Sequence, residues 1–422
     1  MRVLVVGGGG REHAICWSLS KSHAVDRLYA APGNAGTAQI ATSVDASATD
    51  VPALVEVAER ESIDLTVVGP EAPLVEGLVD ELQARGLPVF GPTRDAARIE
   101  GSKAWAKSLC ERHGIPAGRS AAFDAPKPAL AYLDGLEPPF VVKASGLAAG
   151  KGVTVTDDRD EARAAVNACL VQGAFGPAGT TILIEEYLEG TEVSALCLTD
   201  GRTVAPLAFA RDHKRAYDGD RGPNTGGMGA SSPVPDVDRA LADRITAEIL
   251  EPTVKAMDAE GSPYRGVLYA GLMLTRDGPK VLEFNCRFGD PETQVILPRL
   301  RANLGEVLLA CVEGNLGVYR LRWRREACVG VVLASGGYPG SYETGAPIRG
   351  LADAEVIDGV NVFHSGTSVR DGTVITAGGR VLTVTALGSE LEQARDLAYR
   401  ACSLISFDGM HQRTDIAGGE SA

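Results

Sequence analysis

The sequence predicts a multidomain protein of mixed architecture, α/β at its N-terminus and α+β beyond, and three observations lead there. The first hundred residues alternate short apolar runs, glycine-bearing turns and helix-compatible stretches, which is the order of a parallel α/β layer structure. Residues 140–187 then place a glycine-rich hairpin between strand-like runs, and later apolar runs alternate as in an antiparallel sheet. Finally, a chain of 422 residues has the length of about three domains, at roughly 150 residues each.

The apolar, β-branched run Val3 to Val6 ends in Gly7-Gly8-Gly9-Gly10 and gives way to a helical stretch from Arg11 to Ser20. Runs at 27–30, 64–68 and 89–90 repeat the pattern, each followed by a loop (Pro32-Gly33-Asn34, Gly69-Pro70-Glu71, Gly91-Pro92), with helices expected at 51–60 and 74–85. Together they predict an N-terminal parallel α/β domain over 1–101 whose strand-end loops are available for ligands. A helix opens at Gly101-Ser102-Lys103 and runs to His113, and the Ala- and Pro-rich segment after Gly114-Ile115-Pro116 reads as a linker. Strands at 140–143, 153–156 and 181–185, with a helix at 159–170, predict a compact lid over about 123–190. Strands at 192–198, 203–210, 266–275 and 280–285, with a helix at 236–257, predict a central sheet over 191–325 and complete a second region, 102–325. Residues 211–232 lack apolar periodicity, and a stretch of about twenty such residues is more often a functional loop than a spacer. Runs at 328–334, 374–376 and 380–386 with a helix at 391–405 predict a C-terminal β-rich domain, 326–422, with residues 417–422 frayed.

Charge and cysteine usage narrow the function. Lys plus Arg is 41 against 55 Asp plus Glu, a net charge of −14, the wrong sign for gripping a nucleic-acid backbone. No apolar run approaches the length of about 18 residues that crosses a membrane, and too few apolar residues precede Gly7 for a signal peptide. The eight cysteines are dispersed with no C-x-x-C pair, as expected of thiols in a reducing compartment and not of a zinc site. The expectation is a cytoplasmic protein, a monomer or weak oligomer, acting on small molecules with neither nucleic acid nor membrane as partner.

Four motifs carry chemistry. Gly7-x-Gly9-x-x-Glu12 begins like a dinucleotide fingerprint, but Glu12 stands where the third glycine belongs; Gly9 and Gly10 at a helix start still offer N–H groups to an anion. Gly146-Leu-Ala-Ala-Gly150-Lys151-Gly152 differs from a P-loop in spacing and lacks its hydroxyl. It reads as a hairpin laid over phosphates, with Lys143 and Lys151 as cations. On a strand, Glu283-Phe-Asn285 puts two oxygen-bearing side chains on one face and Phe284 on the other, a pair suited to Mg²⁺ shared with nucleotide phosphates. Arg287 continues that face, and Gly289-Asp290-Pro291-Glu292 adds charge in a turn. Asp212-His213-Lys214 and Asn224-Thr-Gly226-Gly227-Met-Gly229 bracket the long loop, and their successive N–H groups suggest an anion-binding nest.

Taken in order, these words resemble the ATP-grasp ligases, and within them the phosphoribosylamine–glycine ligase family. The matching stretches are 9–14, 31–37, 68–74, 101–103, 146–153, 212–214, 223–229 and 283–293. The resemblance implies an ATP-grasp fold with a preceding parallel domain. It also implies ligation of glycine to 5-phosphoribosylamine through glycyl phosphate, in purine biosynthesis, with ATP and Mg²⁺, or Mn²⁺ in its place. It implies Lys103 and Lys143 on the nucleotide phosphates under the hairpin with Gly150 and Lys151. Glu185, Glu186 and Leu188 would read adenine, and Glu192 the ribose. Glu283 and Asn285 are then the metal ligands. Arg287 stabilises the transferring phosphoryl group, with Asp290, Asp212 and Lys214 as its catalytic neighbours. The cosubstrates fall to Gly9, Gly10, Arg11, Asn34, Glu71, Asn224, Gly226 and Gly227. Three positions depart from a full match: Ser145 stands in place of Asp, Leu272-Met273 are neutral, and Arg413-Thr-Asp-Ile416 matches only part of the family's ending.

Overall fold

In the computed structural model, which describes residues 1–148 and 152–419, the strand Arg2–Gly7 is buried at every position after Arg2. A strand covered on both faces carries an uninterrupted apolar run, and Val3 to Val6 supply one. It is the middle of a five-stranded parallel sheet in the order Thr42–Ser43, Arg27–Pro32, Arg2–Gly7, Leu65–Val68, Val89–Phe90. The helix Gly10–Ser20 follows the glycine turn directly, and Val51–Arg60 starts where Asp50 accepts a bond from the Ala53 N–H, a standard N-cap.

Helical structure differs from the sequence reading in several places. The helix expected at 74–85 is two, Glu71–Glu76 and Leu78–Ala84, because Gly77 between them has φ +90°. Ser102 does not sit inside the next helix but caps it: Arg94–Gly101 precedes, and the Ser102 hydroxyl accepts from Trp105 N at the start of Lys103–His113. The helix expected at 236–257 begins at Arg239 and widens into a π-turn, Thr246–Leu250, before Glu251–Ala259. Pro252 lacks the N–H that would close an ordinary turn there.

The presumed linker after Pro116 is structured. Ser120–Phe123 pairs with Ile182–Glu185 in a four-stranded antiparallel sheet that continues through Phe140–Ala144 to Val153–Thr156. The helices Pro126–Asp134 and Arg159–Leu170 bury Leu133 and Val166 against Phe140, Val142 and Ile184, a core separate from the others. The tip of its hairpin, with Gly150 and Lys151, lies outside the described residues.

The central sheet has the order Val204–Pro206, Thr191–Thr199, Gly266–Thr275, Gly278–Asn285, antiparallel throughout. The strand expected at 203–210 is only three residues long, with Ala210 making an isolated bridge to Ser194. Residues 211–232 are not an irregular loop. Arg211–Asp212 and Gly229–Ser232 join the sheet formed with Ala327–Ser335, Arg380–Gly388 and Val360–His364, and Arg215–Tyr217 pairs with Arg221–Asn224 as a hairpin between them. The helix expected to reach residue 405 ends at Cys402. At the end of the chain Ile416 and Ala417 are buried, not frayed, and residues 420–422 lie outside the described residues. All eight cysteines are buried free thiols, and no helix among the described residues is long and apolar enough to cross a membrane.

Candidate active site

Lys143, on the lid strand Phe140–Ala144, is 7% exposed and sets its Nζ 2.9 Å from Oε2 of Glu185 on the neighbouring lid strand. The same oxygen lies 3.3 Å from Nζ of Lys107, which also donates to the Val281 carbonyl at 3.2 Å. Burial pushes the Lys107 ammonium below its usual range, with Glu185 opposing. The other Glu185 oxygen, Oε1, is buried and has no partner among the described residues; an unpaired buried acceptor calls for a donor, and the exocyclic amine of a purine is one. Lys103 opens the helix below, its Nζ 3.3 Å from the Gly146 carbonyl. Ser145, the residue found in place of Asp, ties lid to helix: its carbonyl accepts from Lys103 N and its hydroxyl from Ala104 N. Leu188 is buried beside this site, and the Glu186 carboxylate pairs with Arg119 and Lys280.

Across the cleft, Glu283 and Asn285 share one face of Gly278–Asn285 while Phe284 points into the core at 4% exposure. Burial alone raises the Glu283 carboxyl, but Lys214, Lys103, Lys143 and Arg287 outweigh it and hold it at about 2. A carboxylate kept ionised beside an amide oxygen fits a divalent cation that completes its shell with phosphates and water. Lys214, from the loop after Arg211–Asp212, is ion-paired with Glu192 and lies 3.8 Å from Glu283.

Arg287 is clasped from the N-terminal side. Its Nε donates to Glu71 at 3.1 Å and its Nη2 to Glu100 at 2.9 Å, while Glu100 also accepts from Cys286 N. Burial raises Glu71, yet Arg287 and Arg11 bring it down to about 2; in Glu100 burial prevails and the carboxyl lies above its usual value.

The glycine turn serves a carboxylate. Glu12, 2% exposed, accepts from Gly9 N at 2.6 Å and from Arg11 Nε at 2.5 Å. A Cβ at Gly7 would come within 2.5 Å of the Glu12 side chain, one at Gly9 within 2.7 Å, and one at Gly69 would also collide with it. The residue that breaks the dinucleotide fingerprint is therefore the one the glycines make room for. Arg11 N, also in the first turn, faces Asp290 at 3.5 Å. The anion expected at this helix start therefore meets two carboxylates, Glu12 on Gly9 N and Asp290 facing Arg11 N. Gly10 packs against Gln294 and Ser365. Asn34 bonds the carbonyls of Gly8 and His364 and the N–H groups of Gly36 and Thr37, so its side chain orders the loop.

Acidic groups continue on that side. Asp290 takes bonds from Gln294 at 2.7 Å and from Arg380 at 3.3 Å; burial opposes its ionisation, but Arg380 and Arg11 hold it below the usual carboxylate range. Glu292, 2% exposed, accepts from Ser194 at 2.9 Å and Tyr269 at 2.5 Å. Asp212 has one buried oxygen without a partner among the described residues, and burial, then the nearby Glu292, push its carboxyl well up. The expected anion nest is absent here: Gly226 N donates to Tyr338, Gly227 N to Thr225 and Met228 N to the His213 carbonyl. Gly227 is needed for another reason. Its φ is +106°, and a Cβ would lie 2.6 Å from Asp212 Oδ1 and collide with Pro291. Asn224 is the last residue of the hairpin, paired with Arg215.

Sequence reasoning missed Lys107, Glu100, Tyr269 and Arg380. Only Lys107 left a signal, since four residues after Lys103 it shares that helix face; the others depend on long-range packing. The assembled cleft has a cationic half around Glu283 and an acidic half around Asp290, Asp212 and Glu292, which suits a phosphate chain on one side and amino groups on the other.

Comparison with known proteins shows the family. The chain matches "Phosphoribosylglycinamide synthetase, N domain" over residues 1–100, the "ATP-grasp (A) domain" of the same synthetase over 101–293, and its "C domain" over 328–419. It is 52% identical over 420 residues to a phosphoribosylamine–glycine ligase of Salmonella typhimurium, covering 99% of this chain and 98% of that one. A crystal structure of phosphoribosylamine–glycine ligase from Thermotoga maritima superposes with a TM-score of 0.87 at 34% identity, covering 99% of this chain and 100% of that one. The biotin carboxylase domain of a Hydrogenobacter thermophilus 2-oxoglutarate carboxylase shares the fold, with a TM-score of 0.74 at 16% identity over 97% of this chain and 91% of that one.

Proposed function

The chain belongs to the phosphoribosylglycinamide synthetase family, and on that footing we propose that it joins glycine to 5-phosphoribosylamine, cleaving ATP to ADP and phosphate, in purine biosynthesis. The observation that carries the reading is the convergence of Lys103, Lys143, Lys214 and Arg287 on Glu283. Cations gathered around one carboxylate suit a triphosphate and its metal, and a cation at the transferring group is what phosphoryl transfer requires.

A carboxylate is a poor acyl donor, so the first step makes it a good one. A glycine carboxylate oxygen attacks the γ-phosphorus, the bond to the β-bridging oxygen breaks, and ADP and glycyl phosphate result. Lys103 and Lys143 neutralise the phosphate chain, and Arg287, aimed by Glu71 and Glu100, meets the charge that develops on the transferring group. Glu283 and Asn285 would hold Mg²⁺, which when bound screens the β- and γ-phosphates. In the second step the amine nitrogen attacks the acyl carbon and phosphate leaves, taking up the proton the amine sheds. Asp290, ionised beside Arg11 and Arg380, orients an amino group by accepting its N–H. Glu185, through the oxygen without a partner among the described residues, takes the adenine amine, and Glu192 takes the ribose hydroxyls.

ADP release by the purified chain, with Mg-ATP, glycine, and phosphoribosylamine formed in situ from ribose 5-phosphate and ammonia, tests the reading. Release that requires every component, with a product mass equal to glycine plus the amine less water, is the expected result. Binding of ATP without ADP formation under any combination overturns it.

A further inference from the structure

The C-terminal segment 410–417 crosses the molecule to close on the hairpin Arg215–Tyr217 and Arg221–Asn224, part of a chain stretch that begins and ends in the active site. Lys214, paired with Glu192, immediately precedes this hairpin, and Gly226 and Gly227 follow it, Gly227 against Asp212 and Pro291. At its far end the contacts come from the C-terminus. His411 Nε2 lies 2.8 Å from the Ala216 carbonyl, and its ring meets Tyr217 edge-on at 5.5 Å between centroids. Thr414 donates to Asp218 through both its N–H, at 2.8 Å, and its hydroxyl, at 2.5 Å. Asp415 accepts from Gly219 N at 2.7 Å.

Arg413 is the centre of this clasp. Only 1% exposed, it donates Nε and Nη2 to the two oxygens of Asp415 at 2.7 and 2.8 Å, and Nη1 to both Asp220 at 2.8 Å and the Arg215 carbonyl at 3.2 Å. Its own carbonyl is fixed by the Tyr399 hydroxyl, which also accepts from Ile416 N. A guanidinium is buried only where its donors are matched; here Nη1 bonds the hairpin directly, and Asp415, held by Nε and Nη2, bonds Gly219 in its turn. We infer that Arg413, with Thr414 and Asp415, is a positioning residue of the reaction: it latches the hairpin so that Lys214 and Asp212 stand at their places in the cleft. This rests on the substrate assignment above for the stretch from Asp212 to Gly227. It gives the Arg-Thr-Asp-Ile sequence at 413–416 a part in the site, although none of its side chains enters the cleft.

Two variants test the latch. Arg413→Lys keeps a charge but loses the planar fork, and Asp218→Ala removes both Thr414 bonds at the half-exposed edge without touching the core. Retained ADP binding in each serves as the check on folding. Amide exchange across residues 213–225 is expected to quicken by about tenfold or more, while the KM for glycine or for the amine rises about tenfold. Exchange at the wild-type rate overturns the latch whatever the chain does with its substrates. A loosened hairpin with both cosubstrate KM values unchanged overturns the positioning role. Turnover by the wild-type chain in the same assay separates these failures from a failure of the assigned reaction, which would silence the parent and the variants alike.

Discussion

Nη2 of Arg287 lies 2.9 Å from Oε1 of Glu100, a carboxylate 187 residues away in sequence. Glu71 holds the Nε side of the same guanidinium, so the cation assigned above to the transferring phosphoryl group is fixed by two helices of the N-terminal half. Glu100→Gln removes one of these clamps and leaves Arg287 charged. The expected outcome is a fall in kcat of about tenfold or more with KM for ATP nearly unchanged, measured by steady-state ADP release; an unchanged kcat would show that Glu71 alone suffices.

Glu283→Gln keeps the size of the side chain and removes the charge that four cations surround. The magnesium concentration giving half-maximal rate should rise by about tenfold or more. Titrating Mg²⁺ against ADP release for variant and parent measures it, and superimposable curves would remove Glu283 from the metal.

His13 and His364 form a neutral pair where the N-terminal glycine turn meets the C-terminal sheet: the His364 N–H donates to His13 Nδ1 at 2.8 Å. Burial, reinforced in His13 by His364, lowers them to about 3 and about 4. The unfolded chain takes up protons near the ordinary value of about 6.5, so it holds more protons than the folded chain between that value and the folded ones. Stability is therefore complete above about pH 6.5 and lost as pH falls through 6 and 5, by up to about 1.4 kcal/mol per pH unit for each histidine. Denaturant melts from pH 8 to 5 should show that slope in the parent and a shallower one in His13→Asn.

Gly227→Ala places a Cβ at φ +106° against Asp212 and Pro291. A loss of about 2–4 kcal/mol is expected from strain and collision, together with reduced turnover, since the displaced groups belong to the acidic side of the cleft. Chemical denaturation measures the first and the ADP assay the second.

The grouping of cations around Glu283 was legible because its residues sit in short local words. Lys103 opens a capped helix, Lys143 ends a strand before a glycine hairpin, and the period of two puts Glu283 beside Asn285. The acidic half was less legible because its geometry comes from distant chain. Nothing at position 380 announces that its guanidinium reaches Asp290 and the Gly226 carbonyl, and nothing in Gly226-Gly227-Met228 reveals that Tyr338, Thr225 and the His213 carbonyl occupy the N–H groups. Of the fold, the parallel sheet and the long antiparallel strands were readable from apolar runs. The lid's first strand, Ser120–Phe123, was hidden by Ala-rich composition, and the short strands of 211–232 by an absence of apolar residues that C-terminal neighbours make good.

That last arrangement bears on how the chain is made. Gly229 pairs with Val331 and Ser232 with Cys328, so a strand laid down midway through synthesis has no neighbour on that side until about a hundred further residues have left the ribosome. At roughly 5–20 residues per second, an open edge beside the future cleft persists for seconds in every nascent copy. Fragments ending near residue 326 would keep that edge indefinitely, and a circular permutant that begins near residue 327 would synthesise the awaited strands first.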